Sequence, residues 1–167
     1  MPIVVPLVLC KAAAKATLEQ ARTDAAFIDN TFEIKTPYRP FARLTDLKDK
    51  TRISIIGLTD DRKPVTRGGA VTIEQPLQVA VQRMVIPTAP DAEALTDSLV
   101  QLWEEIKDLL ETNPPDKWSW LDTRSLKDES GLPYEFSRLR DANTFEVIFT
   151  IFYQRTFTRN ELRGLPA

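Results

Sequence analysis

Side chains able to do chemistry are few and scattered in this sequence. It contains no histidine and one cysteine, Cys10. Within the chain, that excludes Ser-His-Asp and Cys-His triads, His-ligated zinc and imidazole bases. It also excludes an internal disulfide and an all-cysteine metal site. Cys10 reads as a small core thiol with no visible activating base. Asp60 and Asp61, followed by Arg62 and Lys63, have the groups of a metal or phosphate site, but neighbours in a flexible loop are poorly preorganised; they read as a solvated turn or a subunit contact. Arg67-Gly68-Gly69 has the make-up of an anion loop. It lacks the GxxxxGK[ST] spacing and leads into a strand, so it reads as a glycine-permitted turn. Trp118 and Trp120, near Lys117 and Arg124, resemble a stacking platform for single-stranded nucleic acid. Residues 91–135 hold 12 acids and 4 bases, however, which repels phosphate. The two tryptophans therefore read as packing under a loop or as an interface anchor. Asp122, Asp128, Glu129 and Glu135 are the residue types of a glycosidase pair, with nothing to fix their separation. An enzyme would have to rely on carboxylate, Lys or Tyr chemistry. The expectation is a protein without catalytic residues, metal ligands or cofactor.

The 167 residues suit one domain, and 43% hydrophobic with 28% charged is ordinary globular composition. With 22 basic and 24 acidic residues the net charge is −2, which gives no general attraction to nucleic acid or to an anionic membrane. The apolar start MPIVVPLVLC has no basic stretch before it, has Leu9 where a lipoprotein site needs a small residue, and is too short to span a bilayer. It reads as folded protein. One cysteine is compatible with a reducing compartment.

The elements that must position these residues follow from periodicity. Helix formers fill residues 5–22, with Pro6 suited to a first turn. TFEIKTPY at 31–38 alternates as a half-buried strand, and RISII at 52–56 is a second. Residues 57–70 are turn-rich and charged and read as a long hairpin-like loop protruding from the domain. VTIEQPLQVAVQRMVI at 71–86 is a long strand whose Pro76 demands an edge or a bulge. Residues 88–112 carry Leu95, Leu99, Trp103, Ile106 and Leu110 at helical spacing, started by Thr88 or Asp91 and ended by Asn113-Pro114-Pro115. Residues 116–143 lack a clean period. TFEVIFTIFYQRTF at 144–157 is a strand apolar on both faces, which places it centrally or against a partner. The polar tail 158–167 reads as mobile. The order α-β-β-β-α-β predicts a single α+β domain over 1–167: a mixed, mainly antiparallel sheet flanked by two main helices.

Charge is distributed unevenly. Residues 1–83 hold 13 bases and 9 acids, residues 91–135 are net −8, and residues 136–167 hold 5 bases and 3 acids. Opposed patches on a near-neutral chain suit head-to-tail pairing of copies, which closes into a ring when the rotation permits. Candidate contacts are Asp60, Asp61, Arg62, Lys63 and Arg67 in the loop, Ile148 and Phe152 on the last strand, and Arg155, Arg159 and Arg163 of the basic C-terminal segment.

Four features carry a likeness. A helical start leads into FEIKTPYRPFARLTDLKDKTRISIIG; a charged loop reaches PVTRGGAVTIEQPLQVAVQRMV; an acidic amphipathic helix follows; LPYEFSRLRDANTFEVIFTIFYQR closes the chain. Over roughly residues 25–157 the chain resembles the tail terminator or tail-completion (neck) proteins of tailed bacteriophages. That resemblance implies a virion structural protein, found in the tail-neck region and in the host cytoplasm during assembly. It implies a homo-oligomeric ring, commonly a hexamer, on the head-proximal end of the tail tube. Such a ring stops tube polymerisation and offers a surface to the head connector. Its partners would be further copies of itself, the tail tube protein and the connector or neck proteins, with no specific nucleic-acid or membrane binding. Alternative readings are another head-tail connector protein, or a cytosolic peptide-binding module using the edge of the long strand 71–86.

Overall fold

The computed structural model describes residues 5–37, 47, 49–64, 69–125, 134, 139 and 142–162. The elements, in chain order, are α1 (Pro6–Thr23), β1 (Glu33–Lys35), β2 (Arg52–Gly57), β3 (Asp61–Pro64), β4 (Val71–Met84), α2 (Ala92–Thr112), β5 (Ser119–Ser125), β6 (Thr144–Phe157) and a short α3 (Arg159–Leu162). They form the expected α+β domain: one six-stranded sheet in the order β1-β2-β4-β6-β5, with β3 pairing with β4. All its pairings are antiparallel except β1 with β2.

Two 14-residue strands form the spine, β4 and β6, paired without interruption from Val71↔Phe157 to Met84↔Thr144. Alternation sends Ile73, Leu77, Val79 and Val81 of β4, and Phe145, Val147, Phe149, Ile151, Tyr153 and Phe157 of β6, to one face. Both helices lie there. Cys10, Ala14, Leu18 and Ala21 of α1 recur every three or four residues, as do Leu99, Leu102, Trp103, Ile106 and Leu110 of α2, and these side chains meet the strands in one core. α1 covers β1, β2 and β4, and α2 covers β5 and β6.

Helix ends follow local chemistry. α1 begins with Pro in its first turn, where a missing N–H costs nothing, but it has no side-chain cap and no acidic residue there. α2 starts at Ala92 rather than 88, and neither Thr88 nor Asp91 provides a side-chain cap bond. At its other end Pro114 and Pro115 lack the N–H groups that would bond the carbonyls of Leu110 and Glu111. The Tyr153 hydroxyl, arriving from β6, donates to Leu110 O at 2.8 Å instead.

Several expectations need revision. The turn-rich connection 57–70 contains a strand: Asp61–Pro64 pairs with Val71–Glu74. Pro76 does not lie on a sheet edge, because β4 is flanked by β2 and β3 on one side and β6 on the other. Its bulge alternative is the one realised. Residues 58–60 stand opposite only Gln75 and Pro76, so the β2–β3 arm carries one extra residue. Leu58 N donates to Pro76 O, so the proline's donorless nitrogen faces this interruption. Strand 31–38 shrinks to residues 33–35. The unassigned stretch 116–143 supplies β5 as an edge strand, bulged between Trp120 and Asp122. Finally, the polar tail opens with a capping box: Glu161 N is bonded to Thr158 Oγ1, and Thr158 N donates to Glu161 Oε2 at 2.7 Å.

Candidate assembly surface

The sheet face away from the helices has two zones. Towards the β2 end, Ser54, Ile56, Ala80, Gln82, Glu146 and Ile148 are all buried, and Gln82 donates to the Glu146 carboxylate across the β4–β6 pair. Towards the β3 end the face is open, polar and laced with ion pairs. A depression of about 490 Å³ lies there between Asp61, Glu74, Pro76, Leu121, Asp122, Arg124 and Phe152.

The predicted contact residues divide across this landscape. Asp61 and Lys63 project beside Glu74, with Lys63 Nζ 2.6 Å from Glu74 and 3.6 Å from Asp61. The hydrogen bond that Lys63 donates to Glu74 raises the Lys63 pKa, with the charges of Glu74 and Asp61 adding to it. Asp60 binds Arg62 at 2.7 Å. The four charges of the loop are thus internally neutralised and exposed or partly exposed, an arrangement that contributes about 0–1 kcal/mol per pair to folding and leaves the groups free to exchange partners. Phe152 is half-buried on the open zone, with the Arg124 guanidinium 4.7 Å above its ring. Arg124 also holds Asp122, lowering that carboxyl's pKa by hydrogen bonding. Ile148 is only 9% exposed, so it is already covered within one chain. Arg155 is likewise committed: it reaches Glu161 at 3.2 Å and stacks 4.4 Å over the Phe157 ring. Glu161 has a lowered pKa, chiefly from the Thr158 N–H, then the Thr158 hydroxyl and Arg155. The backbone of Arg159 lies in α3, whereas Arg67 and Arg163 lie outside the described residues.

The remaining chemistry-bearing side chains have structural places. Cys10 is fully enclosed, and burial pushes its thiol up to about 12. Tyr153 is also raised, mainly by burial. Trp118 packs edge-on against Phe157 at 5.6 Å. Among the described residues no cluster of His, Cys, Asp or Glu could hold a metal ion. No described helix is long and apolar enough to cross a membrane.

Residues that pattern reading did not single out gather at the β2–β3 interruption. Gly57 lets the Leu7 side chain lie directly on β2; a Cβ there would fall 1.6 Å from Leu7 Cδ1. Val5, Pro6, Leu7, Leu58 and Gln75 line a groove beside it of about 260 Å³. Only the coincidence of Gly57 with an apolar helix start could have signalled this groove in the sequence.

The outer stripe of α2, formed by Glu93, Asp97, Gln101, Glu104 and Asp108, is exposed and acidic. α2 and β5 occupy one side of the sheet and α1 to β3 the other, so the acidic charge of residues 91–125, 9 acids against 3 bases, falls on one edge, while the described residues of 1–83, 9 bases and 8 acids, are close to neutral. The long strand β4 is interior and offers no edge for a peptide.

No family model matches the sequence, and no curated protein matches it. Among solved structures, one chain of the virion of a native gene transfer agent particle is similar to this one at 10% identity and a TM-score of 0.49, covering 92% of this chain and 98% of that one. The sheath/tube terminator of an extracellular contractile injection system, in its extended state, is similar at 13% identity and a TM-score of 0.47; the match covers 95% of this chain and spans 58% of that one.

Proposed function

We propose that the protein is a structural component of a phage-type tail. Copies form a ring, hexameric by the sequence resemblance, at the head-proximal end of the tail tube. The ring stops tube growth and presents a joining surface to the head connector, which places the protein in the virion. The observation that carries this reading is the uneven charge of a single open sheet, acidic on the α2–β5 edge and near neutral over the described residues of the other. Edges that differ in charge suit heterologous contacts, copy to copy, and such contacts close when the rotation permits. Asp60, Asp61, Arg62, Lys63 and Arg67 supply contacts on the β3 side. Arg159 and Arg163 are the candidate basic partners for the acidic helix of a neighbour. Phe152 and its depression face the next ring or the tube.

The test is tube polymerisation. A tail tube protein, sought among the genes neighbouring this one, is polymerised with and without this chain, and lengths are measured by electron microscopy. The expected result is rings at one end of each tube and arrest of growth. Asp60→Ala, Arg62→Ala and Lys63→Ala together, which keep the β3 backbone ladder and remove only exposed or partly exposed ion pairs, should leave the fold intact and abolish arrest. Tubes that grow equally long with and without the wild-type protein overturn the reading.

A further inference from the structure

The groove beside the β2–β3 interruption is incomplete as it stands. Gln75 is 1% exposed and lines it. Its Nε2 donates to Leu58 O at 2.8 Å and to Pro76 O at 3.1 Å. Those two carbonyls fix the amide's orientation, and Oε1 is left with no hydrogen-bond partner. A buried acceptor without a donor is costly and calls for one from outside. One wall, Val5, Pro6, Leu7 and Leu58, is apolar; the other, Thr59, Asp60 and Arg62, is polar, with Arg62 and Asp60 paired to each other. Val5 and Leu58 are also exposed, at 48% and 36%. The required occupant is therefore a flat or branched apolar group that carries an N–H.

The opposite edge of the same sheet carries one. Trp120 on β5 is 44% exposed, and its indole N–H is satisfied only by Thr123 Oγ1 at 2.9 Å, on the surface. Three features of the topology align it with the groove. The pairings Trp120↔Tyr153 and Tyr153↔Gln75 put Trp120 and Gln75 in one row across the sheet, at the same height. Both lie on the helix-bearing face, as Tyr153 does. β5 runs antiparallel to β2 and β3, because each step β2-β4-β6-β5 reverses direction. When copies are set edge to edge with their helices on one side, Trp120 of one copy therefore meets the Gln75 groove of the next. The edges also differ in charge: 9 acids and 3 bases over residues 91–125 against 9 bases and 8 acids over the described residues of 1–83. Among the described residues, β1 pairs only with Arg52–Ser54, so none of them adds a strand beside residues 58–60.

We infer that the β5 edge of one copy docks on the α1–β2–β3 edge of a second copy of this chain. Trp120 enters the groove between Val5, Leu7 and Leu58, and its indole N–H passes from Thr123 to Gln75 Oε1. This names the subunit contact of the ring and rests on that reading. A tryptophan filling a desolvated pocket is the usual form of an interface hot spot.

Sedimentation velocity on the full chain tests it, using Trp120→Ala and Leu58→Asp. Both positions are exposed, so both variants are expected to keep the wild-type circular dichroism and melting temperature. Each should self-associate at least ~10-fold more weakly than wild type. Mixed together, they should form a one-to-one heterodimer and nothing larger, because the first variant retains its groove and the second its tryptophan. Wild-type assembly retained in either variant, or a mixture that stays monomeric, overturns the inference while leaving a ring built on other contacts. Open-ended wild-type chains that both variants abolish would support the contact and count against ring closure. A wild type that is monomeric at every concentration overturns both.

Discussion

Replacing Tyr153 with Phe removes one oxygen atom from the centre of the fold, and its cost can be worked from the helix end it serves. In an α-helix each carbonyl accepts from the N–H four residues on. For Leu110 that residue is Pro114, which has no N–H. Leu110 and Tyr153 are both fully buried, so water cannot replace the donor. The Tyr153 hydroxyl at 2.8 Å satisfies that carbonyl. Leaving a buried carbonyl unsatisfied costs ~1–3 kcal/mol, and the deleted oxygen adds little cavity. Taking ~2 kcal/mol, and ~2–4 °C per kcal/mol for a chain of this length, Tyr153→Phe should lower the melting temperature by ~4–8 °C. Calorimetry or a urea midpoint measures this. Pro114→Ala in that background restores an N–H four residues after Leu110 and should return part of the loss, whereas Pro114→Ala alone should change little. A drop under ~1 °C for Tyr153→Phe, or strict additivity of the two changes, would refute the account.

Other perturbations have equally definite outcomes. Leu99→Asp places an unpaired carboxylate at a position 2% exposed, and should cost more than ~4 kcal/mol and leave the chain unfolded by circular dichroism; a soluble variant with unchanged melting would mean that this face of α2 is wet. The Cys10 thiol, raised from 9.0 to about 12, stays neutral in the fold while an unfolded chain ionises it near 9.0, so its contribution is complete below that pH and is lost as pH rises towards 12. Urea midpoints across that range should therefore fall more steeply for wild type than for Cys10→Ala, and equal slopes would argue against a buried thiol. For Glu161, whose pKa is lowered, the sign is reversed: docking of the 158–162 turn is complete above the carboxyl's usual 4.5 and is lost as pH falls. The protection factor of the Thr158 amide should fall in acid and, at neutral pH, in Glu161→Ala; equal protection in all three would remove the capping box.

What the sequence determined by itself was local and periodic. Helix formers with Pro6 gave α1 to within a residue at each end, and the leucine spacing with Asn113-Pro114-Pro115 gave the buried face and the end of α2, because propensity, amphipathic period and missing donors act within a few residues. Alternation gave β4 and β6 and sorted most of their core side chains, and Pro76 announced a break in pairing. The absence of histidine limited the chemistry before any fold was known. Tertiary structure decided the rest. β3 has the residues of a turn, Asp61-Arg62-Lys63-Pro64, and is a strand because β4 offers a free ladder and Glu74 a partner for Lys63. Neither fact is local. Two apolar faces on β6 looked alike in sequence, yet Ile148 is covered within the chain while Phe152 stays half open beneath Arg124. Arg155 looked available and is held by Glu161. Trp120 and Gln75 lie 45 positions apart, and share a row because β6 stands between their strands. Register across a sheet is fixed by pairing between distant segments, and so the placement of a contact surface could be read only from the assembled fold.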